Sequence, residues 1–103
     1  MSISPFKIAF AAKICYHLVM RTQHQRTLAA IFTNPVPASL EWRKIEALLL
    51  ALGAQMVEGS GSRVAFVLND KRADFHRPHP GKEAKRYQVR AVREFLESAG
   101  IQP

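Results

Sequence analysis

Hydrophobic and polar positions alternate along this chain in a way that separates helices from strands. Trp42, Ile45, Leu49 and Leu52 recur at helical spacing with Leu48 beside them, which predicts a helix over about 40–52. Ser39 is placed to cap it, Glu41 suits its first turn, and Gly53 supplies the stop. Three extended runs follow. Gln55 to Glu58 is the first, and Gly59-Ser60-Gly61-Ser62 turns the chain. Arg63 to Leu68 is the second, with Val64, Phe66 and Leu68 alternating against Arg63, Ala65 and Val67. Asn69-Asp70 reads as a hairpin turn into the third run, Lys71 to Arg77, which ends at Pro78. The loop Pro78-His79-Pro80-Gly81-Lys82 leads to a last helix over about 83–99, closed by Gly100 with Ile101 packing back on it.

Upstream the pattern is poorer. Residues 27–33 can make two helical turns that stop at Asn34-Pro35-Val36-Pro37. Residues 1–19 show no clean apolar stripe, and Lys7, Lys13 and His17 interrupt them, so a short helix or a disordered extension is expected. Met20 opens a polar stretch and is a candidate translation start. The division is an extension with a short helix and Pro-rich linker over 1–38 and a folded domain over 39–103. Helix, three antiparallel strands and helix make an α+β domain with its sheet backed by helices.

Charge adds a partner to this picture. The net charge of +7 is concentrated: residues 63–93 hold nine basic against three acidic side chains. Such a local positive potential concentrates polyanions. At 100° per residue, Arg86, Arg90 and Arg93 fall within a sector of about 60° on the last helix, separate from an apolar face that carries Val89, Val92, Phe95 and Leu96. Three guanidiniums on one face suit nucleic-acid phosphates. Lys82 and Lys85 extend the cationic surface to the helix start, where backbone N–H groups also favour phosphate. Glu94 and Glu97 stand four residues after Arg90 and Arg93, so plain surface ion pairs are the competing explanation. Cys15 is the lone cysteine, which fits a reducing cytoplasm, and no apolar run approaches the roughly 20 residues of a membrane span. His76 and His79 are too few to hold a metal, so no metal or other cofactor is expected. No recognition-helix signature points to DNA.

The order of Gly53, Gly59-Ser60-Gly61-Ser62, a hairpin, His79-Pro80-Gly81-Lys82 and a helix ending Leu96-Glu97-Ser98-Ala99-Gly100-Ile101 resembles the HicA toxin family over Leu40 to Ile101. The resemblance implies a fold similar to double-stranded-RNA-binding domains, α-β-β-β-α. It implies messenger RNA as ligand, a HicB-type antitoxin as protein partner, and a metal-independent endoribonuclease of a type II toxin–antitoxin system. The family's catalytic histidine follows the Gly-Ser turn in a G-S-H-H pattern. Here Arg63 stands at that position. A histidine can take a 2′-OH proton near neutral pH, whereas an arginine stays protonated and can only hold or stabilise negative charge.

Another base must then serve, or none does. Counting back from the Asn69-Asp70 turn pairs Arg63 with His76 on one sheet face, and His79 follows in the loop. Arg63, His76 and His79 are therefore the catalytic candidates, and Lys82, Lys85, Arg86, Arg90 and Arg93 the RNA-binding ones. His17 and His24 lie outside the resembling segment and read as surface residues. The alternative is a catalytically inactive basic module that docks a HicB-like or other acidic protein.

Overall fold

The structure is a computed structural model that describes residues 21–78 and 81–103. The readings made for residues 1–20, including Met20 as a start, and for His79 lie outside the described residues. The elements are α1 (Thr22–Ile31), β1 (Leu40–Glu41), α2 (Trp42–Ala51), β2 (Gln55–Glu58), β3 (Arg63–Leu68), β4 (Lys71–His76), β5 (Glu83–Ala84) and α3 (Arg86–Ser98). From α2 to α3 this is the α-β-β-β-α order of double-stranded-RNA-binding domains, with a three-stranded antiparallel sheet ordered β2-β3-β4. The small β1–β5 ladder is inserted into it.

The sheet follows from alternation. Val64, Phe66, Leu68 and Phe75 turn to the core, where they meet Trp42, Ile45, Leu48 and Leu49 of α2 and Val89, Val92, Phe95 and Leu96 of α3. Phe75 sits among three aromatic rings, with centroids 5.7 Å from Trp42, 6.3 Å from Phe66 and 6.2 Å from Phe95. It thereby ties β4 to β3 and both helices. Asn69 and Asp70 take φ of 52° and 67°, the paired left-handed geometry of a tight hairpin turn, without a glycine between them. The Asn69 amide donates to the Ala99 carbonyl at 2.7 Å, so it also satisfies an acceptor left open at the end of α3.

Both long helices end alike. Gly53 N–H donates to Leu50 O and Ala54 N–H to Leu49 O; Gly100 N–H donates to Glu97 O and Ile101 N–H to Leu96 O. Gly53 and Gly100 have φ of 99° and 84°, which favours glycine there, and Ile101 is buried as expected.

The helix starts differ from expectation. Helix α2 begins at Trp42, its N-cap is Glu41, and that cap makes no side-chain hydrogen bond, so Ser39 is not the cap. The Trp42 N–H is met instead by the Lys82 carbonyl at 3.0 Å. That bond continues the ladder in which Leu40 faces Ala84 and Glu41 faces Glu83. The same ladder holds Glu83–Ala84 extended, so α3 starts at Arg86 and not at about 83. Helix α1 begins at Thr22, five residues earlier than the apolar periodicity indicates, because its first turns are polar and exposed while only Thr27, Leu28 and Ile31 are buried.

An ion-paired cluster closes one end of the sheet, from the end of β4 to the end of β2. Arg77 donates through Nε to Glu46 at 2.7 Å and through its terminal nitrogens to both Glu58 oxygens at 2.8 and 3.1 Å. Trp42 Nε1 donates to the same Glu46 oxygen at 2.5 Å. The hydrogen bonds from Arg77, and then its charge, hold the Glu58 carboxyl below its usual 4.5. A depressed carboxyl stabilises the fold above its unfolded value, and the gain is lost as pH falls through the folded value. We expect Arg77→Met to lower Tm by roughly 4–8 °C at neutral pH, the equivalent of about 1 kcal/mol, chiefly because half-buried Glu46 loses a donor. The difference between variant and wild type should shrink below pH 4.5, as followed by thermal melts across pH; a constant difference would reject the linkage.

Candidate functional site

The candidate residues belong to two elements that touch at one end of the domain. The first is the open end of the β3–β4 hairpin, where Arg63 pairs with His76 as counted from the turn. Both side chains are exposed. Directly opposed antiparallel residues project to one face with Cβ atoms about 5 Å apart. The pairing continues one bond further, from Arg77 N–H to Ser62 O at 2.8 Å. Gly59 is tightly packed at this corner: a Cβ there would come within 3.1 Å of Arg63 Cβ, so any larger residue would have to push Arg63 aside. The turn thus packs its backbone against Arg63, whose carbonyl accepts from the Gly59 N–H at 2.9 Å.

The second element is the start of α3. Lys82, Lys85, Arg86 and Arg90 are all exposed, and among the described residues none forms an ion pair with a carboxylate. Glu94 and Glu97 likewise form no pair with Arg90 or Arg93. Arg93 is placed otherwise. Its Nε donates to Ile31 O at 2.9 Å and its NH2 to Thr33 O at 2.6 Å, and its guanidinium lies 5.9 Å from the centre of the Phe32 ring. Arg93 therefore fastens the end of α1 to α3. Of the nine cations in 63–93, Arg72, Arg77 and Arg93 are engaged by acceptors, whereas Arg63, Lys71, Lys82, Lys85, Arg86 and Arg90 form no ion pair among the described residues.

Gln88 joins the two elements. It is 6% exposed, accepts from the Lys85 N–H at 2.8 Å and donates to the His76 carbonyl at 2.7 Å. One amide thus holds the first turn of α3 and fixes the backbone at the end of β4 against it, while the Arg63 and His76 side chains, alternate to core-facing Val64 and Phe75, project from the sheet face away from the helices. The sequence carries a signal for this: on the helical wheel Gln88 falls among Val92, Phe95 and Ala99, a polar residue on the apolar face. Tyr87 is a second residue beyond the charge pattern. It is 62% exposed on the first turn of α3, adjacent to Arg86 and one turn before Arg90. An exposed ring between cations offers a π-face on which a nucleobase can stack.

The geometry can therefore hold phosphates, stack a base and present an imidazole beside a guanidinium. Among the described residues no helix is long and apolar enough to cross a membrane. No curated protein and no solved structure matches the chain. The family model for the HicA toxin of bacterial toxin–antitoxin systems matches residues 42–101, the span from the first residue of α2 to the buried Ile101 behind α3. The sequence resemblance, the α-β-β-β-α architecture and this match agree, and the chain belongs to the HicA toxin family.

Proposed function

We propose that this toxin-family domain binds messenger RNA, with the start of α3 as the main contact. The observation that carries the reading is the group Lys82, Lys85, Arg86 and Arg90, exposed and unpaired at the helix start that also exposes Tyr87. Phosphates would lie along the cations, and an unpaired base would rest on Tyr87. A protein partner of the HicB antitoxin type would neutralise toxicity by covering the same cations with acidic side chains.

The Arg63–His76 pair favours a second step, cleavage. In it, His76 takes the proton of a ribose 2′-OH, and the freed oxygen attacks the adjacent phosphorus. The bond to the 5′-oxygen breaks, and that oxygen takes a proton from solvent. Arg63 neutralises charge on the phosphoryl oxygens, a role that suits a permanently protonated group. His79 is the other imidazole assigned to this reaction.

Incubation of the full chain with a structured messenger RNA, in the presence of a metal chelator, tests both steps. We expect retention of RNA at low salt and cleavage that falls by about 100-fold or more in His76→Ala, within the range for loss of a general base. Cleavage that survives both His76→Ala and His79→Ala would exclude these bases. Binding without cleavage would leave an RNA-binding toxin that has lost its chemistry with its histidine. An absence of binding would reject the RNA reading.

A further inference from the structure

Helix α1 precedes the segment that matches the family, and it creates a second cationic surface. Its residues Gln23, His24, Arg26, Thr27 and Ala30 face Leu40 and the α2 residues Arg43, Lys44 and Ala47 across a groove of about 520 Å³. On each helix the lining residues recur every three or four positions, so the groove runs along two facing helical stripes.

Its chemistry is one-sided. Arg26, Arg43, Lys44 and the imidazole of His24 line it, and no carboxylate does. Among the described residues Arg26 and Lys44 form no ion pair, while Arg43 meets Glu41 at 3.4 Å with 89% of its side chain exposed. So exposed a pair contributes little and yields readily to a competing anion. Between the cations the lining holds the small residues Thr27, Ala30 and Ala47 and one larger apolar side chain, Leu40, and the Thr27 hydroxyl already donates to Gln23 O at 2.9 Å. A groove for a docking peptide helix needs pockets for large apolar anchors. This one offers a single large apolar side chain, Leu40, and cations contributed by both helices, which fits a sugar–phosphate backbone. The arrangement is held in place, since Arg93 of α3 grips the Ile31 and Thr33 carbonyls and Leu28, Ile31 and Val36 are buried in the common core.

The geometry points to the groove between α1 and α2 as a second phosphodiester-binding site, which lengthens the RNA footprint beyond α3. This inference rests on the RNA reading above.

The test uses the full chain, fluorescein-labelled oligouridine and anisotropy titrations over a range of salt. Wild type is compared with Arg26→Ala/Lys44→Ala and with Arg86→Ala/Arg90→Ala. The groove variant should bind on the order of tenfold more weakly, and the slope of log affinity against log salt should become shallower by about 1.4, two phosphate contacts at about 0.7 each. The backbone amides of Thr27, Ala30 and Ala47 should shift in NMR spectra of wild type on RNA addition. Both substitutions fall on exposed side chains, and an unchanged melting temperature verifies the fold.

A groove variant that binds like wild type, while the α3 variant is weakened, would overturn the groove assignment and leave the RNA reading standing. Unchanged RNA affinity combined with lost binding of polyglutamate would make the groove a site for acidic protein, and also overturns it. Failure of wild type to bind RNA even at low salt would overturn both.

Discussion

Arg86→Glu/Arg90→Glu is expected to weaken RNA binding by about two orders of magnitude near physiological salt while leaving the melting temperature within about 2–4 °C of wild type. The reason lies in what these side chains do in the free protein, which is little. Both are exposed on the first turns of α3 and neither forms an ion pair among the described residues. Substitution of such groups usually changes stability by about 0.5 kcal/mol or less. On the proposed RNA-binding role, their reversal would remove two phosphate contacts and add two repulsive charges at the same place. The salt dependence should flatten together with the affinity, which separates a lost phosphate contact from a damaged fold. Arg93→Glu provides the contrast. It sets a carboxylate against the Ile31 and Thr33 carbonyls and forfeits two hydrogen bonds, so it should unfold at lower urea, with a loss of about 2 kcal/mol or more. If the double variant retained wild-type RNA affinity, the α3 site would be ruled out. If Arg93→Glu left the urea midpoint unchanged, Arg93 would not be the fastening of α1.

Phe75→Ala should be the most damaging single truncation among those considered. The ring is 6% exposed and touches Trp42, Phe66 and Phe95, so its loss opens a cavity at the junction of β3, β4, α2 and α3. A Phe→Ala change in such a place costs about 3–5 kcal/mol, from lost burial plus unfilled space. That is a large share of the total stability of a small domain, roughly 5–15 kcal/mol. Urea unfolding monitored by Trp42 fluorescence should show the midpoint falling steeply, whereas Phe75→Leu should recover most of it. A loss below about 1 kcal/mol would mean that the core closes without this ring.

The two variants probe different levels of information in the chain. The strand pattern needed only short-range reading. Alternation at Val64, Phe66 and Leu68 decides which way β3 faces, and the two-residue turn at Asn69-Asp70 then decides the register as far as Arg63 opposite His76. The glycines after α2 and α3 are legible for the same reason, since a left-handed residue just past an apolar helix is a local demand. The family resemblance was legible in the order of those same punctuation marks, and the match over 42–101 agrees with it.

The helix starts were not legible because their partners are distant in sequence. Ser39 is a sound cap by local rules, but the N–H it would serve is taken by Lys82, some forty residues away, once β1 and β5 pair. The early start of α1 is hidden because exposed polar turns show no apolar period and are stabilised by docking at their far end.

The candidate site divides in the same way. The sequence by itself determined which cations exist and that they gather between Arg63 and Arg93. Only the tertiary structure decided which of them are free. Charge counting treats Arg77, Arg93 and Arg90 as equals, yet folding commits Arg77 to two carboxylates and Arg93 to two carbonyls and leaves Arg90 in solvent. The physical reason is that a guanidinium's availability depends on which acceptors the chain brings within about 3 Å of it, and those acceptors come from elements that meet only when the core closes.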